Sequence, residues 1–425
     1  MIALHVLVTA LGVALGVFYP FISVILAERG FSPGEIGLIA SLGAVGFTVA
    51  VPAWGHLADV RLGRPRTLQV CAVGAGAAVL GLLLPWPPLV VVALFSLFWI
   101  FESSWQPLAD AVTVNALRGR DYARVRLFTS LGFAVGAIGA GFLYDQVGYG
   151  PSYALFAAAA VVMAVSALFL PDVAQADLDA HRRRVAKGPT REVSEARARR
   201  AFSLGSTGVA LRVAPRLFLV LVASALLHVG IIGGFTFLPL RIEELGGAPS
   251  DIALSSGMSA GAEIPAMFVM GAVALRLGLR TIFVASALLY AVCLAAWMVI
   301  DVPLVIVATR AVTGVAFSGV VVGVVLTIAT LLPAELQATG QSLFQTSAFG
   351  ISAIGANVIG GALYEVFGHA AVFGLGAVLA VAAAIIGWFV FPRASDPPPV
   401  AETQRDLTPE EAAERQREMG DAGPR

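Results

Sequence analysis

The chain contains little charge for its length. Charged residues make up 13% of its 425 residues, whereas hydrophobic residues make up 58%, and the mean hydropathy is +0.87. An average soluble protein carries about 25% charged residues, roughly twice this share. A soluble core could not bury so much apolar surface, because a folded protein leaves much of its surface in contact with solvent. The composition therefore excludes an ordinary soluble protein and indicates a membrane protein.

Cysteine is almost absent, and so are the motifs of catalytic and metal centres. Cys71 and Cys293 both lie in apolar segments, so we expect small buried thiols without disulfide or metal roles. The sequence has no H-E-x-x-H, Walker or C-x-x-C pattern. A G-x-S-x-G match at residues 30–34 follows an apolar helix instead of the strand that hydrolases need, so we treat it as coincidence. We therefore predict that the chain is not an enzyme and holds neither a cofactor nor a metal.

Long apolar segments, by contrast, are frequent. A helix needs about 20 consecutive apolar residues to cross the hydrocarbon core of a bilayer. Residues 1–28 lack the basic start and short apolar core of a cleavable signal, so they count as the first segment. We predict an all-α integral membrane protein with twelve transmembrane helices. These spans 1 to 12 lie near residues 3–28, 35–58, 66–84, 88–116, 122–144, 151–170, 216–240, 251–275, 280–300, 303–331, 338–364 and 369–391.

Positive charge is concentrated in alternate connections between the spans. Of the 27 Lys and Arg residues, all but Arg29, Arg241 and Arg310 lie in the even-numbered connections or the C-terminal tail. Because Lys and Arg are retained on the cytoplasmic side, both termini and the long central loop are predicted to be cytoplasmic. Lys187 is the only lysine, which hints at a GC-rich bacterial source. We expect the protein in the bacterial cytoplasmic (inner) membrane, in contact with membrane lipid.

Two stretches about half a chain apart are diverged copies of each other. Residues 127–140 read LFTSLGFAVGAIGA, and residues 343–356 read LFQTSAFGISAIGA. The offset of 216 recurs at two further places, and the likeness resumes after a four-residue insertion: Pro33 matches Pro249, Gly55 matches Gly271, and Asp145 matches Glu365. One offset held at three separate places indicates a duplicated bundle.

The duplication divides the chain into four predicted regions. These are a first six-helix bundle at residues 1–171, a cytoplasmic basic linker at 172–215, a second six-helix bundle at 216–392 and a cytoplasmic polar tail at 393–425. In membrane proteins built from such repeats, solutes are handled at the seam between the halves. We therefore predict that the functional site lies between the two bundles.

The connection between spans 2 and 3 carries a recognisable pattern. Residues 55–66 read GHLADVRLGRPR, which resembles the G-x-L-A-D-R-x-G-R-K signature of the major facilitator superfamily, with one extra residue before Gly63. The second copy, at residues 271–280, has Leu275 where the acid should be. With twelve spans in two halves, the chain resembles this superfamily over essentially its whole length.

The resemblance implies a cytoplasmic gate. Glycine allows close helix packing, and Asp59 can pair with neighbouring arginines or with a helix N-terminus, so such a cluster would hold the cytoplasmic ends of the halves together. The alternative is a set of helix-end charges that marks the interface without a gating role. The candidate gate residues are Gly55, Asp59, Arg61, Arg64, Asp110, Arg124 and Arg126.

Two further segments narrow the resemblance. Residues 338–344 with the glycine-rich stretch up to Tyr364, and residues 122–133 in the first half, are similar to the lactose-permease and phenylpropionate-permease branch. This branch implies a proton symporter that imports a small polar solute, often a sugar, a nucleoside or an aromatic acid. The G-P dipeptide that drug antiporters tend to carry in span 5 is absent, which leans against efflux.

Four ionisable residues lie well inside predicted spans. On the mildest insertion scale, a charge at the bilayer centre costs about 2.5–3.5 kcal/mol, so each should face a wet cavity or a partner. Glu102, Glu263 and His228 are the candidates for proton coupling. The alternative for the two acids is a satisfied structural network, and His228 could hydrogen-bond a neighbouring helix. Arg310 is a candidate for binding an anionic group, with helix packing as its alternative.

Polar and aromatic residues form a stripe on span 4. Trp99, Glu102, Gln106 and Asp110 follow the spacing i, i+3, i+7, i+11, which places them on one face of a continuous helix. A facing stripe is predicted on span 11, and a proline in span 1 is expected to break that helix. The alternative is polarity that serves helix packing alone. The predicted substrate-binding residues are Arg310, Trp99, Gln106, Tyr19, Gln345 and Phe349.

These features together predict a secondary active transporter. A proton and a small polar or aromatic solute would share one central cavity, and the halves would rock to give alternating access. Proton-coupled efflux of lipophilic compounds is the first alternative, and a non-transporting membrane sensor or scaffold is the second. The expected partners are the solute, protons and membrane lipid, without nucleic acid, and one chain is expected to function as a monomer.

Overall fold

The computed structural model describes residues 2–117, 122–170 and 204–393. Within these ranges all regular structure is helical, and the helices form twelve spans whose ends lie within about four residues of the predicted ones. Most of the predicted linker and tail lies outside the described residues, although a short helix, Leu204–Val213, precedes span 7. The spans are as follows: 1, Ile2–Phe18, Tyr19–Phe21 and Ile22–Glu28; 2, Pro33–Leu57 and Ala58–Leu62; 3, Arg64–Gly81; 4, Pro88–Glu102 and Trp105–Leu117; 5, Tyr122–Val147; 6, Pro151–Leu168; 7, Arg216–Glu244; 8, Pro249–Leu277; 9, Leu279–Val299; 10, Pro303–Leu331; 11, Ala334–Gln345, Thr346–Ile351 and Ser352–Phe367; 12, His369–Val390.

Eleven of these spans are long and apolar enough to cross a membrane by length and composition, counted over the described residues. The exception is span 3, whose first turn contains Arg64 and Arg66 and is therefore polar. Span 3 nevertheless packs along spans 4 and 6 like the others. The described chain ends lie at one end of the bundle, which we call the terminal end, and the opposite end is the distal end. The positive-charge pattern predicts that the terminal end is cytoplasmic.

Spans 1 and 4 are interrupted at prolines, which lack the amide hydrogen that continues a helix. In span 1 the α-helix gives way to a 3-10 turn at Tyr19–Phe21, as predicted, and the Tyr144 hydroxyl donates a 2.8 Å hydrogen bond to the Val17 carbonyl beside this turn. In span 4 the helix ends at Glu102 and restarts at Trp105, before Pro107. The continuous helix assumed for the span 4 stripe is therefore not observed, because Pro107 cannot donate to the carbonyl four residues earlier.

The extra residue in the signature is absorbed by a π-helical turn. Ala58–Leu62 form this turn, which is closed by a 3.0 Å bond from the Gly63 amide to the Ala58 carbonyl, five residues back. In the second copy the Gly278 amide bonds the Ala274 carbonyl, four residues back, at 2.9 Å. Gly63 and Gly278 have φ angles of 79° and 82°, so the two copies end alike despite the insertion.

Two pairs of spans make most of the contacts between the halves: span 2 packs along span 11, and span 5 packs along span 8. Near the distal end a Cβ on Gly37 would clash with the Asn357 carbonyl, and a Cβ on Gly141 would clash with Ala253. Small residues allow such close approach of helices in lipid. Towards the terminal end, Gly55 of span 2 has open space beside it. The two halves are therefore packed closely against each other at the distal end.

Candidate functional site

Tyr19, at the break in span 1, reaches Glu102, at the break in span 4. The Tyr19 hydroxyl donates a 2.8 Å hydrogen bond to Oε2 of Glu102, and the Trp99 side chain interacts with the same hydroxyl. Trp99 is buried against Gly43 of span 2, where a Cβ would approach the indole to 2.5 Å. Three predicted site residues thus form one cluster inside the first half.

Gln106 and Asp110, on the second piece of span 4, belong to a second polar cluster. Nε2 of Gln106 donates a 2.8 Å bond to Oδ1 of Asp110, and Arg126 of span 5 donates a 3.1 Å bond to Oδ2. The Arg126 side chain is 54% exposed and that of Asp110 is 29% exposed, so both are within reach of solvent. This ion pair joins two of the predicted gate residues.

Glu263 of span 8 brings the second half to this cluster. Its carboxylate lies within electrostatic range of Arg126 in the first half and of Arg310 in its own half. The Ser318 hydroxyl donates a 3.0 Å bond to the Glu263 backbone carbonyl, which ties span 8 to span 10 at this depth. Arg126 therefore interacts with an acid of its own half and with an acid of the opposite half.

Arg310 is held inside the second half. Its guanidinium donates a 3.1 Å bond to Oγ1 of Thr313 and lies 5.8 Å from the centre of the Trp297 ring. The Trp297 indole is itself fixed by a 2.8 Å bond to Thr309. Arg310 is only 9% exposed, and its Nε has no hydrogen-bond partner among the described residues. A role in substrate binding stays a prediction for this buried cation.

His228 is completely buried in an aromatic enclosure. The rings of Phe317, Phe344 and Phe349 surround it, with centroid distances of 6.5, 5.8 and 5.0 Å. Nδ1 lies 2.8 Å from the Ser224 carbonyl, so this nitrogen carries the proton, because a carbonyl only accepts. Nε2 has no partner within the described part of the chain. The imidazole is thus separate from the carboxylate clusters, and its role in proton coupling stays a prediction.

The predicted stripe on span 11 divides between surface and interior. Gln345 is exposed at the end of an α-helix, whereas Phe349 lies in the π-helical segment Thr346–Ile351 and packs on His228. Ser352 also turns inward, because its hydroxyl donates to the Ala225 carbonyl of span 7 at 2.9 Å. Gln345 is therefore exposed in this conformation, whereas Phe349 and Ser352 are engaged by neighbouring groups of the second half.

The predicted gate residues of the signature lie at the terminal end. Nε of Arg64 is 3.4 Å from Oδ1 of Asp59, and the Asp59 side chain is 60% exposed. Arg61 is exposed, and Gly55 has open space beside it. The Arg124 side chain lies outside the described residues. Asp59 thus pairs within its own half, and the gating role stays a prediction.

Two site features were not found from the sequence. Thr313 could have been identified, because it lies one helical turn from Arg310. Trp297 could not, because its contact depends on how span 9 packs against span 10. Within the described residues, no group of three His, Cys, Asp or Glu side chains is placed to hold a metal.

The fold has two related helical bundles, and polar residues of both bundles meet at the seam between them. This arrangement is typical of multi-pass membrane transporters. Residues 11–375 match the MFS_1 like family, and the chain belongs to this family of the major facilitator superfamily. It is a secondary active transporter of small solutes and not an enzyme, as predicted. The predicted resemblance and the all-α fold of twelve spans are thereby confirmed.

Individual relatives agree with this assignment. The chain is 28% identical to a maltose permease of Geobacillus stearothermophilus over 367 residues, which cover 83% of this chain and 84% of the permease. A variant of the nucleoside transporter NupG has a similar structure, with a TM-score of 0.76 and 16% identity, covering 92% of this chain and 99% of that one. A D-xylose-proton symporter gives a TM-score of 0.65 and 12% identity, covering 93% and 98%.

Proposed function

We propose that the protein imports a small polar solute together with a proton across the bacterial inner membrane. The observation that carries this proposal is the position of Arg126, which pairs with Asp110 in its own half and lies within electrostatic range of Glu263 in the other. A cation shared between acids of the two halves can link protonation of Glu263 to movement of the halves.

The proposed coupling follows from elementary electrostatics. When Glu263 is ionised, it attracts Arg126 across the seam. Its negative charge must then move with the site when the halves rock and the site opens to the other side of the membrane. Burial disfavours the ionised form of a carboxylate, so a proton from the acidic side is expected to neutralise Glu263 when solute binds. Arg126 then rests on Asp110, and the halves can rock without moving an uncompensated charge through lipid. Arg310, held by Trp297, would balance Glu263 in the deprotonated state.

The polar groups of the first half favour a neutral, hydroxyl-rich solute. Tyr19 and Glu102 provide a donor and acceptors close to the Trp99 ring, Gln106 adds an amide on the second piece of span 4, and hydroxyl groups can use donors and acceptors alike. Arg126 already has an acid partner, and Arg310 is buried with Thr313 and Trp297 around it. Both of these arginines already have partners, which disfavours an aromatic acid, so we place a sugar first and a nucleoside second. The maltose permease relative supports this order.

The direction and location belong to the same proposal. The positive-charge pattern supports a cytoplasmic terminal end, so the closely packed distal end is expected to face outward and to be closed in this conformation. Each half contributes to the proposed site within one chain, which supports function as a monomer.

Proteoliposomes provide the test. With an acidic exterior, we expect accumulation of radiolabelled maltose above equilibrium, and its loss when an uncoupler is added. Glu263→Gln and Glu102→Gln should abolish accumulation yet leave downhill exchange measurable, whereas Glu35→Gln, at the distal start of span 2, should behave like the parent protein. Accumulation that survives both Gln replacements would show that the coupling assignment is wrong.

Vesicle orientation separates the alternatives. Uptake into right-side-out vesicles supports import, whereas proton-driven movement of lipophilic dyes into inside-out vesicles would show efflux instead. If no sugar, nucleoside, aromatic acid or dye moves in either orientation, the proposed solute classes are wrong.

A further inference from the structure

The acidic residues near the distal ends of spans 5 and 11 each contact the first turn of a helix in the opposite half. Oε2 of Glu365 accepts 3.0 Å hydrogen bonds from the Ser32 hydroxyl and from the Gly34 amide at the start of span 2. Oδ1 of Asp145 accepts a 2.8 Å bond from the Ser250 amide at the start of span 8. Both contacts lie at the distal end, and both join the two bundles.

The two contacts are copies of each other through the internal repeat. Gly34 matches Ser250 at the offset of 216, and Asp145 matches Glu365 after the four-residue insertion, so the same backbone amide receives the carboxylate in both halves. The first amides of a helix lack partners within the helix and carry partial positive charge, which is why a carboxylate binds there. The duplicated arrangement thus creates two equivalent charge-assisted contacts across one seam.

Each helix start also has a carboxylate from its own half. Glu35 accepts a 2.9 Å bond from the Ser32 amide, and Asp251 accepts a 2.9 Å bond from the Ala248 amide. These local caps stabilise the helix starts in any arrangement of the halves. Asp145 and Glu365, by contrast, bind helix starts of the opposite half. They therefore stabilise only the arrangement in which the distal end is closed.

We propose that Asp145 and Glu365 are a pair of gating residues that hold the distal end of the transporter closed. Opening that end separates span 2 from span 11 and span 5 from span 8, which breaks both contacts. The neighbouring close approaches at Gly37 and Gly141 are van der Waals contacts. Each carboxylate is expected to change the ratio of closed to open distal ends by roughly two- to fivefold, and the pair by roughly tenfold. This gate operates whatever solute is carried.

Distances between spin labels on the two halves test the gate. The full chain, with Cys71→Ser and Cys293→Ser, would carry labels at Leu83→Cys and Val302→Cys in lipid nanodiscs. Leu83 and Val302 are 52% and 53% exposed and lie in distal connections of opposite halves. In the parent protein we expect mainly short label distances. Asp145→Ala with Glu365→Ala should raise the ratio of long to short distances by roughly tenfold.

Two matched sets of variants make the result decisive. Asp145→Asn with Glu365→Gln keeps an accepting oxygen but removes the charge, so an intermediate shift is expected; this pair decides the question if the alanine variant does not fold. Glu35→Gln with Asp251→Asn removes carboxylates from the same helix starts within each half and should leave the distances unchanged. The proposal is overturned if the gating variants match the parent, or if the control pair shifts equally. No solute is needed, so failure of the proposed sugar or proton coupling would leave this result intact.

Discussion

The Tyr19 hydroxyl and the Glu102 carboxylate meet at 2.8 Å, each at a point where its span stops being α-helical. Pro20 lies in the break of span 1, and Pro107 follows the break of span 4. Broken transmembrane helices are tolerated where neighbouring groups satisfy the freed backbone. The two prolines therefore account for why polar side chains gather at this depth in the first half.

Removing the Tyr19 hydroxyl tests this cluster. Tyr19→Phe keeps the ring but leaves Glu102 without its donor, so we expect KM for the transported sugar to rise roughly 10- to 100-fold, in line with about 1.5–3 kcal/mol for a hydrogen bond to a charged group. Uptake by proteoliposomes measures this. Tyr153→Phe removes a hydroxyl that accepts a 3.1 Å bond from Arg29, and it should leave KM unchanged. Equal KM values for all three proteins would contradict the assignment.

Replacing Arg126 separates coupling from stability. Its ion pair with Asp110 is partly exposed, so Arg126→Gln should lower the free energy of unfolding by less than about 1 kcal/mol. Accumulation of solute should nevertheless be abolished, because the cation that interacts with an acid of each half is lost. Thermal melting and uptake are the two measurements. Arg276→Gln, an exposed arginine near the terminal end of span 8, is the control, and accumulation by Arg126→Gln at the control level would refute the shared-cation mechanism.

Much of the fold was predictable because crossing a bilayer demands long apolar segments. Span 10, for instance, runs over Pro303–Leu331, the same residues as predicted. The break in span 4 does not follow from the spacing of its polar stripe, which assumes one continuous helix, although Pro107 marks the break in the sequence. Hydropathy and the position of Pro20 thus predict the spans and the break in span 1. Helical spacing does not predict the arrangement of side chains on span 4, because Pro107 interrupts the helix there.

The residues of the candidate site could be predicted from the sequence, but the side chains that they contact could not. Depth in an apolar span identified Glu102, Glu263, His228 and Arg310 as costly groups that need compensation. The groups that surround these residues differ: Glu102 accepts a hydrogen bond from a tyrosine, whereas His228 is enclosed by phenylalanines from spans 10 and 11. These partners come from helices far apart in the sequence, and their contacts depend on crossing angles that no single-span pattern contains.

Backbone contact between spans 1 and 5 predicts a sharp difference between two glycines of span 5. A Cβ on Gly132 would clash with the Thr9 carbonyl, whereas Gly139 has open space beside it. Gly132→Ala should therefore destabilise the fold by about 1–3 kcal/mol through overpacking. Gly139→Ala should be neutral or slightly stabilising, since alanine favours helix by about 1 kcal/mol. Thermal melting in detergent compares them, and equal melting temperatures would show that the spans do not touch there.

The π-helical turn at the end of span 2 predicts that one residue of the signature is dispensable. Deleting Val60 leaves the Gly63 amide four residues from the Ala58 carbonyl, so the same bond can close an α-helical turn, as Gly278 and Ala274 do in the second half. We expect this deletion variant to fold and transport close to parent levels.

Deletion of Val49 is the matched control. Its side chain is 68% exposed, but it lies in regular helix, so its loss rotates the rest of span 2 by about 100° relative to its neighbours. That variant should lose transport and melt earlier. Uptake and thermal melting of the two deletions decide the matter. If the Val60 deletion is as harmful as the Val49 deletion, the extra residue is itself required at the terminal end. The loss of transport could then not be explained by helix geometry, because the Gly63–Ala58 hydrogen bond can still form in the Val60 deletion.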